Sequence, residues 1–211
     1  DAVQAFGKLD VNVGALPVDL LSISGHKIGA PKGIGAMYVR RGVQIEPLFH
    51  GGSQDRGRRP GTENVAFAVA LATAAELVVK DCERECARLR ALRDELERAV
   101  VAAVPDAIIH GRNAPRVAHI SSISVPGVDA ESMLMALDLQ GIACSAGSAC
   151  QSGSVTPSHV LAAMGVRPDV ATAAVRMSLG VLTTEECVRR VAECFPALVK
   201  KARDFSALAV A

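Results

Sequence analysis

Lys27 is the residue whose neighbours best equip it for covalent chemistry. It stands in Ser22-Ile23-Ser24-Gly25-His26-Lys27-Ile28-Gly29-Ala30-Pro31-Lys32-Gly33, between one apolar run from Val18 to Ile23 and another from Ile34 to Val39. That pattern predicts a strand, a tight polar crossing and a second strand, with the lysine at the strand end. An amine so placed can condense with an aldehyde, while hydroxyl, imidazole and backbone N–H groups beside it take a phosphate. Pyridoxal phosphate needs this set of groups. A second stretch, Gly51 to Asn64, is a long loop rich in glycine and arginine, suited either to a surface excursion or to a backbone-and-guanidinium clamp for anions. A third, Ser145 to Ser154, is a Ser/Gly-rich loop holding Cys150.

The elements that must position these loops follow from the apolar pattern. Val18–Ser24 reads as a buried strand and Gly35–Arg40 as its partner. Val65–Lys80 is apolar and Ala-rich, a helix expected to be buried on several sides. Glu83–Val104 is amphipathic, with Leu89, Leu92, Leu96 and Val100 on one face, and Pro105 stops it. The change from apolar to charged helix near residue 82 marks the expected domain boundary, giving domains 1–82 and 83–211. Beyond it, His119–Val125 reads as a strand, Ala130–Gln140 as a helix with Met133, Leu134 and Leu137 inward, and Ile142–Cys144 as a short strand. Pro157–Met164 reads as helical, Ala174–Leu179 as a strand, and a last helix opens at Thr183 with Glu186 completing a capping box. Strands alternating with helices imply a small α/β domain with its sheet covered on one face. There is no internal repeat.

Bulk properties narrow the function classes. The chain has 211 residues and a formal net charge of +1, with no basic run of the kind nucleic-acid binders carry. Five Phe, one Tyr and no Trp leave little for base stacking. Six cysteines lie at 82, 86, 144, 150, 187 and 194 without a C-x2-C pair, which argues against zinc and against a disulfide framework and for reduced thiols in the cytoplasm. No apolar run reaches the ~20 residues of a membrane span, so no membrane role is expected. The chain opens at Asp1, as if entering mid-element, and is expected to be a piece of a longer protein.

Five segments together resemble a family. Asp1-x-x-Gln4, Ser24-Gly25-His26-Lys27 with Pro31-Lys32-Gly33, Arg59-Pro60-Gly61-Thr62-Glu63-Asn64, Gly147-Ser148-Ala149-Cys150 and Arg176-Met177-Ser178-Leu179-Gly180 occur in the order found in cysteine desulfurases of the NifS/IscS type, within the class V aminotransferase superfamily. The resemblance runs along essentially the whole chain, as the C-terminal half of such an enzyme. It implies an α/β fold-type I pyridoxal phosphate transferase, with part of the large cofactor-binding domain (1–82) and a small C-terminal domain carrying the cysteine loop (83–211).

The resemblance also implies roles. Lys27 is similar to the lysine that holds pyridoxal 5'-phosphate and moves the substrate Cα proton. Asp1 resembles the carboxylate paired with the pyridinium nitrogen, Gln4 the donor to the ring phenolate, and Ser24 and His26 the phosphate ligands. Thr62 resembles the phosphate ligand supplied by the other subunit of a homodimer. Arg176 resembles the arginine that grips the substrate α-carboxylate, a task for a planar two-pronged donor. Cys150 resembles the nucleophile; Cys144, at a strand end, reads as a buried and inert competitor. No metal is implied. The implied reaction takes sulfur from L-cysteine, leaving L-alanine and a persulfide on Cys150, which passes to an acceptor protein such as an iron–sulfur scaffold or a tRNA-thiolation carrier. The sequence departs from the family at Gly29, where an aromatic residue is common, at His119 for Asn, at Ala146 in a usual serine pair, and at Gln151 for Thr. The family's ring-stacking histidine, ring-contacting asparagine and phosphate-binding threonine loop would all precede Asp1, so the chain alone is expected to bind the cofactor poorly and be inactive. Alternatives on the same scaffold are a selenocysteine lyase or an aminotransferase; a non-enzymatic one is a dimerisation or partner-binding fragment.

Overall fold

The computed structural model describes residues 1–146 and 157–210, with side chains to 205. They fall into two units, Asp1–Arg84 and Glu85–Ala211. In the first, strands β1 (Leu20–Ser24) and β2 (Gly35–Val39) pair antiparallel, Leu20 opposite Val39 and Ser24 opposite Gly35. A 3-10 turn, Gly25–Lys27, leaves β1 directly. Arg40 ties the start of β1 to the end of β2: its side chain donates to the Val18 carbonyl at 2.7 Å and pairs with Asp19 at 3.0 Å. Gln54–Gly57 (α1) is a single turn in which Asp55 and Arg56 take left-handed φ values of 49° and 60°.

Helix α2 runs unbroken from Val65 to Ala103, 39 residues. Asn64 opens it, its side-chain oxygen accepting from the Phe67 N–H at 3.1 Å. Its residues through Arg84 belong to the first unit and the rest to the second. Two expectations fail here. The apolar first half is not buried on several sides, since Val65, Val69, Leu77 and Val79 are all exposed. Nor is β1 a buried strand: Leu20 is 44% exposed and, across the sheet on β2, Met37 is 52% exposed. Among the described residues no further strand flanks this pair, so apolar composition alone does not bury it. Among the described residues, the buried apolar side chains of the first unit are Ala2, Ala30 and Leu71.

The second unit holds a four-stranded antiparallel sheet in the order β3 (Ile108–Ile109), β4 (Ile120–Ser124), β6 (Ala174–Ser178), β5 (Ser145–Ala146). Its core gathers Leu92, Leu96 and Val100 of α2, Ile123 of β4, Val175 and Met177 of β6, Met133 and Leu137 of α3 (Ala130–Asp138), and Phe195 of α6 (Glu185–Val210). Phe195, Ile123, Met133 and Leu137 are sealed from solvent. Short helices α4 (His159–Ala163) and α5 (Pro168–Ala171) bring Leu161 and Ala171 against Ala174. The short strand expected at Ile142–Cys144 is instead β5, and the capping residue of α6 is Thr184, whose Oγ1 accepts from the Cys187 N–H at 3.3 Å. Thr183 turns back to hold Gly180, accepting its N–H at 2.9 Å.

Candidate active site

The lysine turn is built by the backbone before its side chains matter. Gly25 N–H donates to the Ile34 carbonyl at 2.9 Å, and the Gly25 carbonyl accepts from Ile28 and Ala30 at 3.0 Å each. A Cβ on Gly25 would come within 2.8 Å of Ile34 Cγ2 and 2.9 Å of Ile34 O, so only glycine lets the two strand ends meet this closely. Gly33, at φ +96°, reverses the chain into β2. Ser24 Oγ and His26 Nδ1 are hydrogen-bonded at 2.8 Å, and His26 and Lys27 are exposed on the turn.

The N-terminal segment is joined to this strand. Ala2 N–H donates to the Ser22 carbonyl at 2.9 Å, which brings Asp1 and the following turn alongside β1. The Asp1 carboxylate accepts from Val3 N–H at 2.7 Å, and Gln4 Oε1 accepts from Lys8 Nζ at 3.4 Å. Ser24, His26 and Lys27 thus lie on one turn, and Asp1 precedes the residue bonded to the same strand at Ser22. Thr62 does not join them: it is exposed in the loop before α2, and no hydrogen bond among the described residues links it to Ser24, His26 or Lys27. The Arg-rich loop does help line a cleft of about 910 Å³ with Arg56, Arg58 and Arg59, opposite Ile23, Met37 and Val39 of the sheet.

Arg176 lies in the second unit, on β6. Its cross-strand partners are Ser122 on β4 and Ser145 on β5. The guanidinium Nε is buried and has no hydrogen-bond partner among the described residues. A buried donor left without an acceptor is costly, so this atom is open to a hydrogen-bond acceptor, and a carboxylate would suit it. The strand that carries it is clamped at its end by Arg88 of α2, whose guanidinium donates to the Thr183 carbonyl at 2.6 Å and the Gly180 carbonyl at 3.2 Å while pairing with Glu85 at 2.7 Å. Cys150 lies outside the described residues. Cys144 packs against the core, and burial, with Asp138 adding to it, pushes its thiol up to about 11.

The sequence gives Ser122 and Arg88 no mark, and Ser145 only as the first residue of the Ser/Gly-rich loop. In Ile120-Ser121-Ser122-Ile123-Ser124 alternation puts Ser122 on the opposite face from Ser121, but nothing in the sequence gives the register that sets it beside Arg176.

The fold, the lysine turn and the arginine strand define a class. Residues 1–191 match the Aminotransferase class-V family, and the chain belongs to that family. Its similarity is to cysteine desulfurases: it is 45% identical to "Cysteine desulfurase" of Gluconacetobacter diazotrophicus and 46% identical to "Cysteine desulfurase" of a Nostoc species, over 98% of this chain and 52% of each relative in both cases. Among solved structures it superposes on the NifS-like protein of Rickettsia africae with a TM-score of 0.83 at 32% identity, covering 95% of this chain and 52% of that one. The fold is thus the mixed α/β fold of the NifS-like proteins, and the chain spans about half the length of the curated relatives it matches.

Proposed function

We propose that this chain carries the lysine-bearing part of a pyridoxal phosphate-dependent cysteine desulfurase, acting on L-cysteine. The observation that carries the reading is the 3-10 turn in which Lys27 follows the hydrogen-bonded Ser24–His26 pair, with Asp1 drawn alongside β1 by the 2.9 Å bond from Ala2 to Ser22. The donor set fits the cofactor. Ser24 and His26 offer a hydroxyl and an imidazole to a phosphate, Lys27 an amine to an aldehyde, Gln4 an amide to the ring oxygen, and Asp1 a carboxylate to the ring nitrogen. When bound, the cofactor supplies an electron-withdrawing ring that weakens bonds at the substrate α-carbon.

This chain's own residues then divide the remaining work. Arg176 binds and orients the substrate carboxylate. Lys27 carries the proton between Cα and its amine. The Cys150 thiolate attacks the sulfur of L-cysteine: a sulfur–sulfur bond forms, the substrate Cβ–S bond breaks, and Cβ takes up the proton the thiol gave up, leaving L-alanine and a persulfide on Cys150. Thr62 serves the equivalent site of a second copy, in a homodimer. A protein acceptor, such as an iron–sulfur scaffold, takes the persulfide sulfur in the cytoplasm. In this reading 1–82 is part of the large cofactor domain and 83–211 the small domain, and the chain without the rest of the enzyme releases no alanine. The test is alanine release from L-cysteine by the enzyme that contains this chain. Lys27→Ala abolishes it, and Cys150→Ala abolishes persulfide formation; persulfide formation that survives Cys150→Ala contradicts the reading.

A further inference from the structure

The three strands β4, β6 and β5 set Ser122, Arg176 and Ser145 in one row, each directly opposite the next. Residues opposite one another on antiparallel strands project from the same face with Cβ atoms about 5 Å apart. The other face of these strands is spent on the core, through Ile123, Val175 and Met177, and through Ser121, whose hydroxyl donates to Glu97 at 2.7 Å. The row's own face is closed at one end. There Ser124 donates to the Val170 carbonyl at 2.7 Å and Ala174 packs under Leu161 and Ala171. At the other end Ser178 is exposed, so the row stands at the mouth of a half-covered sheet, with all three side chains half-buried.

The chemistry of the row is one-sided. The Arg176 Nε is buried without a partner, and neither the Ser122 nor the Ser145 hydroxyl has a hydrogen-bond partner among the described residues. A carboxylate offers about four lone-pair sites; a guanidinium edge takes two, and a hydroxyl on each side can take the others. We propose that Ser122 and Ser145 are specificity-determining residues that share the substrate α-carboxylate with Arg176, one hydroxyl from each flanking strand. This rests on the reading of Arg176 given above.

The experiment titrates the isotopically labelled enzyme that contains this chain with L-alanine, which has the carboxylate but no sulfur, and with alaninamide, which lacks the carboxylate. The signals read are the Arg176 Nε–H and the backbone amides of 122 and 145. L-Alanine shifts them saturably and alaninamide does not. Ser122→Ala and Ser145→Ala each weaken L-alanine binding about tenfold, the effect of one hydrogen bond to a charged group. Ser122→Thr and Ser145→Thr, which keep the hydroxyl, bind like the parent and stand in where an alanine variant loses its dispersed spectrum. If Arg176→Gln abolishes binding while the serine variants bind as the parent does, the serine assignment is overturned and the Arg176 reading stands. If Arg176→Gln binds as the parent does, or if alaninamide shifts the same signals equally, or if L-alanine shifts none of them, both fall.

Discussion

At the scale of single residues, the thiols of this chain differ because their surroundings do. Cys144 is held against the core with its thiol pushed up to about 11 by burial and by Asp138, so at pH 8 only about one molecule in a thousand carries the thiolate. Cys187, exposed at the start of α6, is shifted the other way, chiefly by the hydrogen bond from the Thr184 hydroxyl to its sulfur, then by the Thr184 backbone. Alkylation at pH 8 followed by peptide mass mapping should therefore label Cys187 early and Cys144 last; early labelling of Cys144 would show that its packing is looser than described. The sequence marked Cys144 as the buried competitor because a cysteine at a strand end among apolar neighbours behaves as a small hydrophobe. It did not mark Cys187, because the cap that lowers its pKa depends on whether Thr183 or Thr184 opens the helix, a difference of one residue that propensity does not resolve.

At the scale of elements, the second unit is fastened by a buried charged network between α2 and the loop and strand beside it. Glu97, 1% exposed, accepts two hydrogen bonds from Arg116 at 2.6 and 2.7 Å and one from Ser121 at 2.7 Å. Burial pushes the carboxyl up, but the bonds from Arg116 and Ser121 and the charges of Arg116 and Arg93 outweigh it and hold Glu97 below the usual carboxylate range. Removing one partner strands the other, so Arg116→Ala should cost about 3–5 kcal/mol and Ser121→Ala about 1–3 kcal/mol in denaturant unfolding. His110 adds a second acid sensitivity. Its Nε2 lies 2.7 Å from Ser124 Oγ, whose own proton goes to Val170 O, so the imidazole is the donor in that pair. Burial lowers the His110 pKa, so the unfolded chain takes the proton first and stability begins to fall as pH drops below about 6.5. Glu97 contributes fully above about 4.5 and is lost as pH falls through its lower folded value. Denaturation midpoints should therefore decline in two stages from pH 8 to pH 3, and His110→Gln should remove the first; a midpoint that is flat between pH 7 and 5 would contradict the assignment. These elements differ in how far the sequence announced them. Met133 and Leu137 of α3 were legible, because helical spacing puts both on one face and both are sealed. The two-residue strands β3 and β5 and the four-residue α5 were not, because segments so short owe their shape to neighbours rather than to their own pattern. The continuity of α2 was missed for a related reason: the change of composition near residue 82 is a change in what the helix faces, not a break in its backbone.

At the scale of the whole molecule, the two units are unequally built. Nearly every buried apolar side chain among the described residues lies in Glu85–Ala211, while Asp1–Arg84 buries three and leaves both its strands and the apolar stretch of α2 largely open. Local stability follows buried contacts, so amides of β4 and β6 should exchange with deuterium more slowly than those of β1 and β2 by orders of magnitude, as read by peptide mass. Uniform protection would mean that the first unit is more stable than its packing allows. That unit nonetheless holds the groups on which the proposed chemistry turns, and the most direct test of the account is to trap the lysine itself. The enzyme that contains this chain is incubated with pyridoxal 5'-phosphate, reduced with borohydride to make the lysine–cofactor bond permanent, and mapped by mass spectrometry. The label is expected to concentrate on Lys27, which follows the bonded Ser24–His26 pair, and to be lost when Ser24 and His26 are both replaced by alanine. A label spread evenly over Lys32, Lys80, Lys200 and Lys201, or absent from Lys27, would contradict the account.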